Sequence, residues 1–242
     1  MRSLILIAAL LFGQPAAAAC RETTFEAVPY TVCEAQAGDD LRLFLNGANG
    51  AYGGFSAVDA DLAPQGLALG FAMNAGMFRP DLSPVGLYVE DGKQVTPIIT
   101  SDGPGNFGLL PNGVFCIGAR FSVVESRRFA KIKPACRYAS QSGPMLVIDG
   151  QEHPQFKPGS DSFHIRNGVG VSADGKTAYF AISDQAVSFD SFARFFRDAL
   201  NTPNALYFDG SVSRLYAPEL GRSGAGFGIG PMVGLVVAKG AN

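Results

Sequence analysis

Polar residues follow several apolar, strand-like runs of this sequence, and they are the residues best placed to do chemistry. The run over residues 205–208 ends abruptly in Asp209, Gly210 and Ser211. An ionisable group at the end of a buried strand lies where the backbone turns and a ligand can approach. The Asp-Gly pair also forms ordinary turns, in which Asp209 only accepts hydrogen bonds from its own backbone. The segment therefore predicts either a reactive carboxylate or a capped turn.

Three other segments repeat this arrangement. Asn74 follows an apolar run and precedes Ala75 and Gly76, whose small size lets a ligand reach the backbone. Ser142 lies just before another run, and Arg166 lies at the entry to a third. Each segment alone has a structural explanation, because polar groups at strand ends often serve turns. Taken together, they predict one site assembled from distant parts of the chain.

Familiar catalytic templates are missing from the sequence. His153 and His164 are the only histidines, and His153 lies in a segment expected to be an exposed turn. The chain has no G-x-S-x-G nucleophile elbow, zinc-binding H-E-x-x-H, phosphate-binding P-loop or dinucleotide fingerprint. No cluster of acidic residues calls for a metal ion. We therefore expect neither a metal nor a cofactor.

The first residues predict export. Arg2 precedes an apolar stretch over residues 4–12, and small residues at 16–19 suit signal peptidase. Residues 1–19 are thus predicted to be a signal peptide, and residues 20–242 one domain that is periplasmic or secreted, with no transmembrane segment. A lipoprotein acylated at Cys20 is the alternative, although Ala17 stands where lipoprotein signals usually carry Leu.

The cysteine count agrees with export. An even number of cysteines in an exported chain suggests disulfides, and pairing neighbours gives Cys20–Cys33 and Cys116–Cys136. Each bridge would stabilise the fold by about 3 kcal/mol through restriction of the unfolded chain. Acylation of Cys20 would leave Cys33 without a partner.

The charge pattern gives no sign of a nucleic-acid partner. The formal net charge is −2, and the basic residues cluster only over residues 127–133. No aromatic residues are interleaved there for base stacking, so the cluster is interpreted as a solvated strand or loop.

Turn residues recur about every ten positions and separate short runs rich in Val, Ile, Phe and Tyr. This pattern predicts an α+β fold, with a mixed, largely antiparallel sheet core of many short strands and a few packed helices in a single domain. Several runs are continuously apolar, so both faces of those strands should be covered. Hairpin turns are expected at four Asp-Gly or Asn-Gly pairs: residues 91–92, 112–113, 149–150 and 174–175.

Two helices are predicted. Phenylalanine, alanine and leucine recur at helical spacing over residues 189–200, with Ser188 as the N-cap. Asp190 and Arg194 are four residues apart and are expected to pair on the exposed side of this helix. A weaker helix is expected over residues 56–63.

Six segments, taken in order, resemble the phosphodiester glycosidase family. They cover the chain from about residue 41 to residue 237 and are specific as a combination: residues 74–78, 84–87, 105–107, 142–145, 166–170 and 206–211. The chain departs from the family at two points. Asn-Ala-Gly-Met-Phe replaces the more usual Asn-Gly-Gly-aromatic-Phe, and Asp-Gly-Ser replaces Asp-Gly-Gly.

The resemblance implies hydrolysis of a sugar–phosphodiester bond on the sugar side. Its expected catalytic residues are Asp209 as nucleophile or base, Arg166 as phosphate-binding residue, and Asn74 as a hydrogen-bond donor to substrate. Expected substrate-binding residues are Ser142, Ser211, Gly76 and Gly210. The partner would be a carbohydrate phosphodiester or an envelope glycan. Two alternatives are a non-catalytic protein that binds an envelope glycan in the same cleft, and a structural envelope protein with a vestigial cleft.

Overall fold

The protein is built from short antiparallel strands and a few helices, described by a computed structural model for residues 20–226 and 228–240. The predicted signal peptide, residues 1–19, lies outside the described residues. The strands are β1 Cys20–Phe25, β2 Val28–Gln36, β3 Leu41–Phe44, β4 Asn46–Gly47, β5 Gly50–Ala51, β6 Leu67–Asn74, β7 Tyr88–Glu90, β8 Lys93–Thr96, β9 Gly113–Ile117, β10 Phe121–Glu125, β11 Tyr138–Ser142, β12 Met145–Ile148, β13 Gln151–Glu152, β14 Asn167–Val171, β15 Thr177–Ser183, β16 Asn204–Asp209, β17 Leu215–Ala217, β18 Arg222–Ser223 and β19 Met232–Ala238.

Four α-helices lie between these strands. They are α1 Phe55–Leu62, α2 Gly105–Gly108, α3 Ser126–Ile132 and α4 Phe189–Arg194. The last of them continues as a π-helical turn over Phe195–Ala199, and 3₁₀ turns occupy Ala63–Gln65 and Pro218–Leu220. No helix in the described ranges combines the length and apolar character that a membrane span requires.

Three larger sheets form the body of the fold. The first has seven strands in the order β1-β2-β15-β14-β16-β12-β13. The second has the order β10-β9-β11-β7-β8, and the third has the order β18-β17-β6-β19-β3. All strand pairs within these sheets, as far as the structure describes them, are antiparallel. The predicted α+β class with largely antiparallel sheets is confirmed.

Each of the three sheets turns one face to a shared core. Phe71 of the third sheet, Phe115 of the second and Phe180 of the first meet there, with ring centroids 5.4 and 5.6 Å from that of Phe180. One helix packs on each outer face: α4 on the first sheet, α3 on the second and α1 on the third. This arrangement confirms that the continuously apolar strands are covered on both sides, since each lies between the core and a helix.

Both predicted disulfides are present, Cys20–Cys33 and Cys116–Cys136. The first joins β1 to β2 at a position where the two cysteines are direct cross-strand partners. Because Cys20 Sγ is bonded to Cys33, it is not available for the alternative of acylation.

Helix α4 follows the sequence prediction in its cap and differs from it in its exposure. Ser188 Oγ accepts a hydrogen bond from the N–H of Ser191, as expected for an N-cap. Asp190 and Arg194 form the predicted ion pair, but Asp190 is buried instead of exposed. Asp190 is covered because α4 packs closely on the seven-stranded sheet.

The predictions for the basic segment and for one of the four turns were also wrong. The basic segment 127–133 is not a strand or loop, because most of it forms helix α3. Its N-terminal N–H groups, those of Arg127 and Arg128, are capped by the Glu125 carboxylate. The Asn112-Gly113 pair is not a hairpin turn. Asn112 is buried and donates to the carbonyl of Phe107, and Gly113 begins β9.

His153 is buried, whereas the sequence predicted an exposed turn. Its ring stacks on Phe156 with 4.8 Å between centroids, and its Nδ1 accepts a hydrogen bond of 3.2 Å from the N–H of Gln155. Apolar stacking replaces water around the imidazole, and this burial lowers the pKa of His153 below its ordinary value of 6.5.

This lowered pKa predicts a loss of stability in mild acid. Below pH 6.5 the unfolded chain takes up a proton at His153 and the native chain does not, so the free energy of unfolding falls with falling pH. The slope can reach about 1.4 kcal/mol per pH unit and ends once pH drops below the native pKa. Urea unfolding at pH 7.5 and 5.5 measures it. His153→Gln should flatten the slope, while His164→Gln, at an exposed position, should keep it; equal slopes in all three proteins would contradict the assignment.

Candidate functional site

Asp209 is the last residue of β16, an inner strand of the seven-stranded sheet, and the chain turns directly after it. Asp209 Oδ1 accepts hydrogen bonds from the N–H groups of Gly210 (2.6 Å) and Ser211 (2.7 Å), with that of Val212 at 3.4 Å. These bonds are the capped turn that the sequence allows. Within the described residues, Asp209 Oδ2 accepts no hydrogen bond, so the turn occupies only one carboxylate oxygen. Asp209 therefore caps the turn through Oδ1, while Oδ2 takes no part in the turn's hydrogen bonds.

Asn74 and Asn167 form a buried amide pair between two sheets. Asn167 Nδ2 donates to Asn74 Oδ1 (3.0 Å) and to the Asn74 carbonyl (2.9 Å), while Asn74 Nδ2 donates to Asn167 Oδ1 (3.2 Å). Both side chains are completely buried. Asn167 is also the cross-strand partner of Asp209, next to an irregularity in the β14–β16 ladder. The pair thus fixes the end of β6 beside the Asp209 turn.

Residues that follow the Asp209 turn complete this connection. Ser213 Oγ bonds to the carbonyls of Asp209 (2.8 Å) and Ile165 (2.9 Å). The N–H of Arg214 donates to Asn74 Oδ1 at 2.9 Å. These hydrogen bonds fix the backbone of segment 209–214. The bond from the Arg214 N–H to Asn74 places Arg214 next to the Asp209 turn.

Strand β11 of the second sheet reaches the same place. Ser142 Oγ donates to the Phe208 carbonyl at 3.0 Å, one residue before Asp209. Ser140 Oγ donates to the Ala75 carbonyl at 2.6 Å. Gly76, with φ 149°, is so close that an added Cβ would lie 3.0 Å from Ser140 Oγ. The structure therefore brings Asn74, Gly76, Ser142 and the Asp209 turn together from three sheets.

Gly210 is required by its neighbours and not by its backbone angles. A Cβ built on Gly210 would lie 2.1 Å from the hydroxyl oxygen of Tyr207 and 3.3 Å from the Cβ of His164. Burial raises the pKa of Tyr207, so its hydroxyl stays protonated. The missing side chain gives this hydroxyl its position beside the turn.

Arg166 belongs to this region but points toward helix α4. Its guanidinium is fully buried, with Cζ 3.6 Å from the ring centroid of Phe189 and 5.4 Å from that of Tyr207. Nε donates to the Val187 carbonyl (2.9 Å), and Nη2 donates to the Ser162 carbonyl (2.8 Å). Among the described residues, Nη1 has no hydrogen-bond partner and Arg166 no ion pair. Burial lowers its pKa, and the nearby Tyr207 hydroxyl opposes that shift.

A cavity of about 390 Å³ opens beside the Asp209 turn, and we call it the turn cavity. It is lined by Phe78, Ile165, Gly210, Ser211, Val212, Ser213, Arg214 and Gly228. A second cavity of about 430 Å³, here the arginine cavity, shares three of these residues. It is lined by Ile165, Ile182, Ser183, Asp184, Ser213, Arg214, Leu215, Arg222, Ser223, Gly224 and Ala225.

A third cavity and the placement of the metal-binding types of side chain give no second candidate site in the described residues. A larger apolar cavity of about 540 Å³ lies between α3 and the second sheet and includes none of the predicted site residues. Over residues 20–226 and 228–240, no group of three or more His, Cys, Asp or Glu side chains is arranged to hold a metal ion.

The site contains residues that the sequence did not single out by role. Asn167 and Tyr207 lie inside the family segments. The neighbouring sequence does not show, however, whether such a residue forms hydrogen bonds to another sheet or only packs in the core. Ser213 and Arg214 follow the Asp-Gly-Ser segment directly, and that proximity was the only signal for them. His164 is exposed next to Gly210, although its sequence context gave no indication of this.

Comparisons with known proteins identify the family and agree with the fold. Residues 69–226 match the family described as phosphodiester glycosidase. The uncharacterized protein YigE of Escherichia coli (strain K12) is 38% identical over 178 residues, which is 73% of this chain and 69% of YigE. The chain belongs to the phosphodiester glycosidase family.

Two solved structures share the fold at low sequence identity. One is the zebrafish N-acetylglucosamine-1-phosphodiester alpha-N-acetylglucosaminidase catalytic domain, auto-inhibited by its pro-peptide. Its TM-score is 0.60 at 15% identity, over 89% of this chain and 81% of that one. The other is a putative exported protein from Burkholderia pseudomallei, with a TM-score of 0.55 at 14% identity, over 86% and 74% of the two chains.

The buried amide pair predicts a measurable contribution to stability. Asn167→Ala leaves the buried polar atoms of Asn74 without their partner, which should lower the free energy of unfolding by about 1–3 kcal/mol. Asn204→Ala, at a half-buried position whose side chain accepts one bond from the Asp149 N–H, is the control and should cost less. Chemical unfolding of both variants and of the Asn74→Ala, Asn167→Ala double variant tests the pairing; strictly additive losses would contradict it.

Proposed function

We propose that this protein is an exported hydrolase that cleaves glycosyl-1-phosphodiester bonds on the sugar side of the phosphate. The observation that carries the proposal is the hydrogen-bonded assembly of Asn74, Ser142 and the Asp209 turn beside the turn cavity. Membership of the phosphodiester glycosidase family supports the reaction class. The printed name of the zebrafish protein describes the same class of bond.

Asp209 supplies the reactive carboxylate in this proposal. Its Oδ1 is engaged by the turn, so Oδ2 is the atom that acts as nucleophile at the anomeric carbon or as base toward water. The bond between the anomeric carbon and the phosphate oxygen breaks, and the phosphate monoester leaves with the electron pair. The anomeric carbon gains a hydroxyl from water. Because a phosphate monoester is a good leaving group, a strong general acid is less important than in ordinary glycoside hydrolysis.

The remaining predicted residues bind and orient the substrate. Asn74 and Ser142 hold the strand ends that carry the Asp209 turn, and they orient the substrate through that turn. Ser211 and the backbone around Gly76 and Gly210 add hydrogen-bonding groups. Arg166 contributes positive charge that attracts the phosphate, from a position 5.4 Å from the Tyr207 ring centroid. That charge is not neutralised, since no carboxylate in the described part of the chain pairs with Arg166. Direct contact between Arg166 and phosphate requires movement of the Ser162 segment that covers it.

Export is part of the same proposal. Two disulfides in the fold are typical of an oxidising compartment. Together with the signal-like sequence of residues 1–19, they support a periplasmic or secreted protein whose partner is a carbohydrate phosphodiester.

Replacing the Asp209 carboxylate by an amide should reduce turnover strongly without disturbing the fold. Asp209→Asn keeps an Oδ1 acceptor for the turn and loses the carboxylate, so kcat on a chromogenic sugar phosphodiester should fall by about a hundredfold or more. The matched control is Asp174→Asn, at a second Asp-Gly turn whose Oδ1 accepts from the Lys176 N–H at 3.0 Å. A near-wild-type rate for Asp209→Asn removes this residue from the chemistry.

Arg166→Lys should act mainly on substrate binding. A lysine ammonium group cannot reproduce the planar guanidinium, which donates to the carbonyls of both Val187 and Ser162. KM for the phosphodiester should therefore rise about tenfold, with a smaller change in kcat. Arg120→Lys, at an exposed arginine that bonds the Asp174 carbonyl, is the control. An unchanged KM contradicts the role given to Arg166.

A glycan-binding protein without catalytic activity is the competing outcome of these experiments. Ala75 and Ser211 replace family glycines next to Asn74 and Gly210, where substrate would lie. Release of sugar from the phosphodiester by the purified wild-type protein supports hydrolysis. Saturable glycan binding with no release supports the competing function.

A further inference from the structure

The turn cavity and the arginine cavity meet at one side chain. Both are lined by Ile165, Ser213 and Arg214, and Arg214 is the only charged residue of the three. The Asp209 turn borders the first cavity through Gly210 and Ser211. A cation between two cavities matches the layout of a phosphodiester, in which one anionic phosphate carries two different arms.

Arg214 is positioned by the same contacts that build the site. Its N–H donates to Asn74 Oδ1 at 2.9 Å, and its guanidinium packs against Gly226. Gly226 has φ 148°, a conformation that favours glycine, and a Cβ built on it would lie 2.5 Å from Arg214 Cζ, so the guanidinium lies directly against the Gly226 backbone. Arg214 is half-buried, whereas Arg166 is fully enclosed. An anion in either cavity can therefore contact Arg214 without movement of a covering segment.

The two cavities differ in chemistry. The turn cavity has Phe78 and Ile165 among its lining residues and is bordered by Gly210 and Ser211, which directly follow the proposed reactive carboxylate of Asp209. The arginine cavity contains the ion pair of Arg222 with Asp184, at 2.5 Å. Thr31 Oγ1 bonds both partners, at 2.7 Å from Arg222 Nη1 and 2.9 Å from Asp184 Oδ2. The pair is electrically balanced and offers both donors and acceptors, which suits a hydroxyl-bearing group and not an apolar tail.

We propose that Arg214 holds the phosphodiester, with the sugar in the turn cavity and the aglycone in the arginine cavity. The substrate class is then a sugar phosphodiester with a polar, hydroxyl-bearing aglycone. After cleavage, the phosphate monoester still carries that aglycone and remains bound by Arg214 until release. This inference rests on the proposed function, because it names the substrate of the same site.

Paired substrates test the inference. Binding of N-acetylglucosamine-1-phosphate diesters with a methyl or a glyceryl aglycone is measured by calorimetry, with sugar release followed in parallel. The wild-type protein should bind the glyceryl diester about tenfold more tightly than the methyl diester, since one or two additional hydrogen bonds to the aglycone hydroxyls are worth about that much. Arg214→Gln should weaken both at least tenfold, and Arg214→Lys should recover part of the loss. Arg222→Gln and Asp184→Asn should bring the ratio of the two dissociation constants toward one.

Controls separate this inference from the proposed reaction. Arg42→Gln removes an arginine paired with Asp40, away from both cavities, and should leave both dissociation constants unchanged. If both diesters bind as expected and no sugar is released, the proposed hydrolysis fails and the inference stands. If sugar is released but Arg214→Gln binds both diesters like wild type, the inference fails and hydrolysis stands. Equal wild-type affinity for the two diesters, or binding of neither, also overturns the inference.

Discussion

The buried amide pair between Asn74 and Asn167 is the interaction on which the candidate site depends. These residues are 93 positions apart in the chain and belong to different sheets. Leaving such amides unpaired in a water-free interior is costly, so the bonds select one relative position for the two strand ends. Asn167 is also opposite Asp209, and Asn74 accepts from the Arg214 backbone. A shift of either sheet would therefore displace the carboxylate and the cation together.

Hydroxyl groups then attach the second sheet to this pair. Ser140 and Ser142 point in one direction from β11, two residues apart, and each bonds a backbone carbonyl next to a site residue. Such bonds satisfy carbonyl groups that irregular strand ends would otherwise leave unpaired. Arg166 meets the same requirement differently, since its buried charge is held by carbonyls and by the face of Phe189. The site is thus assembled by polar contacts within a fold that hydrophobic burial stabilises.

The sequence predicted the positions of the strands and of the polar residues at their ends better than it predicted where side chains point and which residues they contact. Apolar runs located β6, β12 and β16, because burial on both faces leaves a continuous apolar pattern. The sequence could not show that Arg166 and Asn167, adjacent in the chain, point in different directions. Arg166 contacts Phe189 and Asn167 contacts Asn74, and both contacts depend on how distant segments pack. His153 was misjudged because a Pro and a Glu beside it suggested a surface turn, while its burial comes from Phe156 packing on its ring.

The two departures from the family pattern fall where the backbone does not need glycine. Gly76 has φ 149° and Gly210 faces the Tyr207 hydroxyl at a distance that excludes any side chain, and both are kept. Ala75 and Ser211 are not among the described non-glycine residues with positive φ, so a side chain causes no strain at either position. Ser211 still donates its N–H to Asp209 Oδ1, and its side chain is exposed. The replacements therefore alter the surface offered to a ligand and preserve the backbone that holds the carboxylate. We expect them to affect substrate selection more than the geometry of the reacting group.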